Sequence, residues 1–580
     1  AKNIHQGMAR WDQDIINWHN VNLAQGFRAG TVFWPQSKNP SHLASAERNY
    51  QKLLGLYGQF PGGGFVGDEN CRPGYSDPRG GIETCGITEF MHSFEMLTRI
   101  TGNPLWLDRC EDIAFNTFPA SMPPDQKGLH YITAANQIQL DRHNKSPGIQ
   151  NGGTMFSYSP FEVYRCCQHN VSHGWPYFAE ELWLATPDRG LCASLYAASE
   201  VSAKVGAGAT VRITEETDYP FSDTITFRIS TAQAVKFPLY LRLPGWCARA
   251  AVKINDKPVY FKAKPLAYVV LDRSWNDGDT VSFQLPMQVS VRRWAQNNDA
   301  ASVHYGPLAF SLKIGERWSR YGGRGNWPEF EVYPTTPWNY GLMIPERNAG
   351  RMFQVVKKAE ALAAQPFTPE AAPIELVVQA KKIPAWKQDS LGLVGKLQPS
   401  PVKSDEPLET VTLIPMGAAR LRITAFPVIG KGKTAREWIV PKPAPVSASH
   451  CFGSDTVEAL MDGKEPKNSN DHSLPRFTWW DHRGSEEWVQ RDFDKPRTVS
   501  SAAVYWYDDT GAGSCRVPQS WRLLYKEGDA WKPVAAAAFG TARDAYNQVT
   551  FKPIQTTALR IEVKLQPEFS GGILEWKVGE

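Results

Sequence analysis

Thr84-Cys85-Gly86-Ile87-Thr88-Glu89-Phe90-Met91-His92-Ser93-Phe94-Glu95-Met96-Leu97-Thr98-Arg99-Ile100 decides the first part of the fold. Ile87, Phe90, Met91, Phe94, Leu97 and Ile100 recur at three- and four-residue steps, the spacing of one apolar helix face. Gly102-Asn103-Pro104 then closes the helix, glycine for the left-handed cap and proline against continuation. Leu105 to Phe115 reads as its antiparallel partner. Upstream, Ser41 to Tyr57 sets Leu43, Ala46, Tyr50, Leu53, Leu54 and Tyr57 on one face and ends at Pro61-Gly62-Gly63-Gly64. Asp12 to Phe27 and Trp175 to Ala185 read as further helices, so residues 1–188 are expected to form helix pairs.

Near residue 190 the period changes from helical to alternating. Val201 to Val211, Thr224 to Ile229, Pro238 to Leu243, Ala251 to Ile254, Ala267 to Leu271 and Thr280 to Leu285 are short and β-branched, with Asn-Asp and Asn-Asp-Gly turns between them. This pattern predicts an antiparallel β-sandwich over 189–300. A second sandwich is expected over 301–445, ending in the linker-like Pro441-Lys442-Pro443-Ala444-Pro445. Strand candidates from Trp488 to Val563 make 446–580 a further all-β unit. The expected class is multidomain α+β, with helices first and antiparallel sandwiches after.

Composition narrows the function classes. A formal charge of +4 over 580 residues, with no basic block, points away from a nucleic-acid track. No run approaches the roughly 20 apolar residues of a membrane helix. Nine scattered cysteines are too few for a disulfide scaffold in a chain of this length. Aromatics reach 12%, with 21 Trp, which suits large β-domain cores and also suits stacking on sugar rings. The chain starts at Ala1 without an apolar leader, compatible with a removed signal peptide or a late start.

Two short motifs carry metal-type chemistry. Glu83-Thr84-Cys85 opens the strong helix, and Cys166-Cys167 lies in a loop-like stretch. Three thiolates and a carboxylate make a tetrahedral set suited to zinc, and a helix N-terminus favours the anionic forms. Two ordinary buried thiols, or pairing with other cysteines, remain alternatives at this point. Glu69, in Gly67-Asp68-Glu69-Asn70, is an acid/base candidate or a turn-capping surface residue. His19 is a lone histidine of the kind that usually packs in a core.

The runs Trp18-His19-Asn20-Val21-Asn22, Gly62 to Asn70, Asp77-Pro78-Arg79, Glu83-Thr84-Cys85-Gly86 and Thr101 to Trp106 resemble glycoside hydrolase family 127. So do Glu111 to Asn116, Tyr131-Ile132-Thr133, Cys166-Cys167, Leu241 to Trp246 and His304 to Leu308, so that the resemblance spans about residues 10–310. It implies a retaining exo-glycosidase acting on β-L-arabinofuranosides. It assigns Zn2+ to Glu83, Cys85, Cys166 and Cys167, with Cys166 as nucleophile and Glu69 as acid/base. His19 and Glu111 are the implied substrate-binding residues, and His169, beside the cysteine pair, is added as another candidate. Zinc would hold Cys166 as thiolate, which a free thiol at neutral pH mostly is not.

The resemblance also implies an (α/α)6 toroid of about twelve helices. About half are visible before the sandwiches, so 1–188 is expected to be the C-terminal half of that barrel. The other half is expected from a second polypeptide or an N-terminal segment. Gln168-His169 after the cysteine pair, with Arg72 and Arg79, hints at an acidic branched sugar or another furanoside; Arg79 equally suits a structural carboxylate pair. Residues 446–580 resemble discoidin-like carbohydrate-binding modules through Ala459 to Gly463, Phe477 to Trp480 and Trp521 to Tyr525. Trp479, Trp480, Trp506 and Tyr507 are stacking candidates there. A non-catalytic glycan-binding protein and a structural zinc protein are the readings from other classes. The substrate class, rather than any signal, sets the expected location in the periplasm or outside the cell.

Overall fold

The computed structural model describes residues 19–71, 76–143, 145, 149, 153–161, 166–389, 391–440, 445–452 and 455–579. The chain divides into two compact units, one of Ala1–His143 with Gly153–Ile439, the other of Asn144–Gly152 with Val440–Glu580. The described chain is mostly β-sheet, with its helices gathered at the start of the first unit. No described helix is long and apolar enough to cross a membrane.

Helices α1 (Asn20–Gly26), α2 (Ala29–Ser37), α3 (Ser45–Tyr57), α4 (Thr84–Thr101), α5 (Leu105–Asp112), α6 (Cys166–Asn170) and α7 (Gly174–Glu180) are arranged around α4. α1, α2, α5, α6 and α7 all touch α4. The apolar stripe read from the sequence is what they bury: Ile87, Phe90, Met91, Phe94 and Leu97 are buried. Phe90 and Phe94 lie 4.5 Å apart, and Phe27 meets Phe90 edge-on at 5.2 Å. Gly102 caps α4 with φ +65° and donates to Thr98 O.

Two segments differ from expectation, and a third is described only in part. The Asp12 to Phe27 helix is described only from Asn20, because residues 1–18 lie outside the described set. Trp175 to Ala185 is helical only to Glu180. Trp183–Ala185 is instead a strand paired antiparallel with Leu191–Ala193, whose ladder draws it out of the helix. Val201 to Val211 is a hairpin, Ser199–Val205 and Ala209–Glu216, turned by Gly206 and Gly208 at φ +52° and +105°.

The first sandwich pairs a six-stranded sheet with the four-stranded sheet that Trp183–Ala185 begins. Thr224–Thr231 shows the alternation that builds it: Ile225, Phe227 and Ile229 are buried while Arg228 is exposed. Trp183 meets Phe227 edge-on at 5.7 Å across the two sheets. A seven-stranded sheet follows, with Ala300–Tyr305, Leu308–Leu312, Leu408–Pro415 and Ile374–Lys382 in its centre. Glu316–Arg324 and Trp327–Pro334 form a separate two-stranded hairpin. Arg422–Ile423 pairs with Asn136–Gln137 of the helical region.

The second unit is a seven-stranded antiparallel sheet system built on two long bent strands, Glu486–Tyr507 and Tyr546–Lys564. Trp479, Trp506, Trp521 and Trp576 sit in its core with Val489, Leu523 and Ile561. Trp479, Trp506 and Tyr507 are therefore packing residues. Trp480 is half-buried, with the Arg483 guanidinium 4.9 Å from its ring.

Candidate active site

Glu83 ends the short strand Ile82–Glu83 and is the N-cap residue of α4, so Cys85 falls on the helix's first turn. That strand pairs with Ile132–Thr133, which places Glu83 opposite Ile132 and next to Tyr131. Cys166 begins α6, which lies on α4. Two distant sequence motifs thus meet at one helix N-terminus.

Glu83, Cys85, Cys166 and Cys167 present four donor atoms within 4.8 Å of one another. Cys85 and Cys167 sulfurs are 3.1 Å apart, and the Cys85 N–H donates to Cys167 Sγ at 3.2 Å. Cys166 Sγ lies 4.0 Å from Glu83 Oε1. The three cysteines form no disulfide, since every described cysteine is free. Glu83, Cys85 and Cys167 are buried; Cys166 alone is exposed. The donor set fits a four-coordinate zinc ion, whose sulfur donors at about 2.3 Å stand roughly 3.8 Å from each other. Burial pushes the Glu83 carboxyl up to about 7.

The three thiols are not equivalent. Cys166 is held far below the usual thiol range by hydrogen bonds from Cys167, Cys85 and the Tyr131 hydroxyl, which lies 2.6 Å from its sulfur. The hydrogen bond to Cys166 pushes Cys85 up, and burial pushes Cys167 up. Cys166 is also the one of these three sulfurs that solvent reaches.

A second triad faces it. His19 Nε2 is 2.7 Å from Glu69 Oε2, and its Nδ1 is 3.3 Å from Glu83 Oε2. The hydrogen bonds to Glu69 and Glu83 push His19 up to about 10, so it is an imidazolium bridging two carboxylates. The other Glu69 oxygen, Oε1, is buried and within the influence of the Tyr131 hydroxyl, with no hydrogen bond of ordinary geometry among the described residues. Glu69 has φ +101°, a strained value for a residue with a side chain, fixed by the Asn20 N–H bond to its carbonyl at 2.6 Å. Burial raises the Tyr131 hydroxyl, with the charges of Cys167 and Glu69 adding to it, so Tyr131 stays a proton donor.

Of the residues singled out from sequence, Glu83, Cys85, Cys166, Cys167, Glu69 and His19 converge here. His169 is exposed on α6, three residues past Cys166. Glu111 is engaged elsewhere: one oxygen pairs with Arg242 and the other accepts from Tyr219 at 2.8 Å. Glu111 is thus held in a fully buried pair with Arg242 and Tyr219 rather than at the Cys166 cluster. Arg79 pairs with Asp77 at 3.3 Å and Asp389 at 3.0 Å, the structural alternative. Trp18 and Arg72 lie outside the described residues. Sequence reasoning gave Tyr131 no role and Asn20 none. Asn20 is buried behind Gly67 and Gly86, where a Cβ on either glycine would run into its side chain.

Residues 3–180 match the GH127 β-L-arabinofuranosidase catalytic-domain model, and residues 190–287 match the GH127 middle-domain model. No curated protein matches significantly in sequence. Among solved structures, one titled glycoside hydrolase aligns with TM-score 0.54 at 16% identity over 71% of this chain and 66% of its own. A GH127 β-L-arabinofuranosidase from Geobacillus stearothermophilus T6 aligns with TM-score 0.51 at 18% identity over 72% of this chain and 60% of its own. A further GH127 β-arabinofuranosidase gives 0.53 at 15% identity over 72% and 61%. The chain thus spans 60% to 66% of the length of these structures, and the likeness is one of fold. Over residues 3–180 and 190–287 the chain is thus similar to the catalytic and middle domains of the GH127 family.

Proposed function

We propose that the chain is a retaining exo-glycosidase of β-L-arabinofuranoside-type linkages, with Cys166 as nucleophile and Glu69 as acid/base. The observation that supports it most is the convergence of one exposed sulfur, Cys166, bonded by the Tyr131 hydroxyl, with the Glu69 carboxylate that His19 ties to Glu83 of the same cluster. Glu83, Cys85, Cys166 and Cys167 are the residues that would hold zinc, which when bound supplies charge that keeps the Cys166 sulfur anionic at neutral pH.

The Cys166 sulfur attacks the anomeric carbon as the glycosidic C–O bond breaks, and Glu69 Oε1 delivers a proton to the departing oxygen. Water then attacks the same carbon, giving its proton to Glu69 as the C–S bond breaks. Two inversions amount to retention. His19, donating to Glu69 Oε2, leaves Oε1 as the oxygen that carries the moving proton. Tyr131 steadies the developing and returning thiolate. The helical region is read as part of an (α/α)6 barrel and the second unit as a glycan-binding module, in a periplasmic or extracellular enzyme.

The test combines zinc content, sugar release from p-nitrophenyl β-L-arabinofuranoside before and after chelation, and the variants Cys166→Ser and Glu69→Gln. One zinc per chain, activity lost on its removal, and loss of turnover in both variants is the expected result. Full activity in Cys166→Ser would falsify the nucleophile assignment.

A further inference from the structure

The hairpin of Glu316–Arg324 and Trp327–Pro334 stands apart from the seven-stranded sheet and is fastened to the active-site region instead. Val332 bridges to Leu140 and Phe330 to Tyr158. The Tyr321 hydroxyl shares a hydrogen bond with Ser157 at 2.8 Å, and Ser159 donates to Glu329 at 2.6 Å. Trp318 stacks on buried Tyr158, with ring centroids 5.4 Å apart and planes 4° from parallel. Tyr158 meets His130 at 5.0 Å, and the next residue is Tyr131, which touches Cys166.

The free end of this hairpin is unusual. Trp327 is 52% exposed and Phe161 45% exposed, and among the described residues they are the one tryptophan and the one phenylalanine left so open. They share a neighbour. Arg324 is the register partner of Trp327, and its guanidinium lies 5.5 Å from the Phe161 ring. Among the described residues Arg324 has no carboxylate partner. Its exposure and that of Trp327 leave donors and an indole face turned to solvent. Most aromatics of this chain find a core, so two that do not, gathered around a cation with no carboxylate partner among the described residues, mark a binding surface.

The platform lies near the reaction centre. Ser159 bridges to Leu129, so adding two residues of chain on each side puts the Phe161 and Tyr131 Cα atoms within about 20 Å. That is the reach of a short oligosaccharide whose terminal sugar occupies the Cys166 cluster. We propose that Trp327, Phe161 and Arg324 form a glycan-binding platform for the sugars on the leaving-group side of the scissile bond. The rings stack on C–H faces of the sugars, and Arg324 donates to their hydroxyl or carboxylate oxygens. The inference rests on the hydrolase reading for its position but not for its existence.

The test uses the full chain with Trp327→Ala and Phe161→Ala, both surface truncations that leave the hairpin's anchors intact. Two substrates are compared: p-nitrophenyl β-L-arabinofuranoside, too short to reach the platform, and an oligosaccharide ending in β-L-arabinofuranose. Each variant is expected to lose about three- to tenfold in kcat/KM on the oligosaccharide and nothing on the aryl glycoside. Equal effects on both substrates, or none on either, overturn the platform. So does a change of oligomeric state in Trp327→Ala, which would make the patch a contact between copies. Should the wild type cleave neither substrate, the hydrolase reading fails on its own. The platform is then judged by calorimetric binding of the oligosaccharide: weaker binding by Trp327→Ala than by wild type upholds it, and equal binding overturns it.

Discussion

Glu69 combines two properties that ordinary stability rules separate. It is the proposed acid/base residue, and its backbone sits at φ +101°, outside the region where a residue with a Cβ is comfortable. Holding such a residue costs about 1–3 kcal/mol, whereas glycine costs about 0.5–1 kcal/mol in chain entropy relative to alanine in regular backbone. Glu69→Ala and Glu69→Gly both delete the carboxylate and its bond to His19, so the side-chain loss cancels between them. What remains is the backbone difference, and it should favour glycine by about 1 kcal/mol, the reverse of the usual order. Urea unfolding of the two variants side by side reads this as a higher midpoint for Glu69→Gly at equal slope. The second compact unit is identical in both and drops out. Both variants should be inactive. If Glu69→Ala is as stable as Glu69→Gly, the strained backbone is not a property of this loop, and the geometry that aims Glu69 at the cluster is wrong.

Other consequences are as direct. Gly86→Ala puts a methyl group into the buried side chain of Asn20, whose backbone N–H holds Glu69 O; it should cost about 1–3 kcal/mol and, by displacing His19 and Glu69, lower kcat more than it raises KM. Arg242→Met leaves Glu111 and Asp108 as buried carboxylates without their cation; thermal unfolding should reveal a loss of about 3–5 kcal/mol, and a loss below 1 kcal/mol would mean the pair is hydrated. Burial, with Glu181 nearby, pushes Glu95 up to about 9. Its folded state therefore holds a proton that the unfolded chain releases near 4.5, and the stability this gives is full below about 4.5 and lost as pH rises toward 9. Glu95→Gln should flatten that decline, and an unchanged pH profile of stability would show that Glu95 is ionised in the fold.

The helices and strands were legible where periodicity is strong and local. The stripe from Ile87 to Leu97 predicts both the helix and the face it buries, because burying that stripe is what makes the helix stable. The expectation was wrong where the deciding contact is remote. Nothing in Trp183-Leu184-Ala185 announces a strand; it becomes one because Leu191–Ala193 offers a ladder partner. Val201 to Val211 reads as continuous β until one asks what Gly206 and Gly208 are for, and their positive φ answers that the chain reverses there.

The site divides along the same line. Glu83 and Cys85 share a helix turn, and Cys166 and Cys167 are adjacent, so each half is visible in sequence; their meeting is not, being separated by 82 residues in the Cys85–Cys167 contact. Tyr131 carries no chemical signal of its own. It matters because strand pairing opposite Glu83 brings it within 2.6 Å of a sulfur 35 residues away. Glu111 shows what spacing leaves out, a carboxylate in a suggestive motif whose partners in the fold, Arg242 and Tyr219, come from the first sandwich more than 100 residues on. A buried carboxylate must find a cation or donors somewhere. Whether it finds them in the protein or in a ligand is decided by elements that sequence spacing cannot place. Glu69 Oε1 has no partner of ordinary hydrogen-bond geometry among the described residues, and that, with the place of Glu69 beside His19 and Glu83, is the physical support for proposing that it carries a proton.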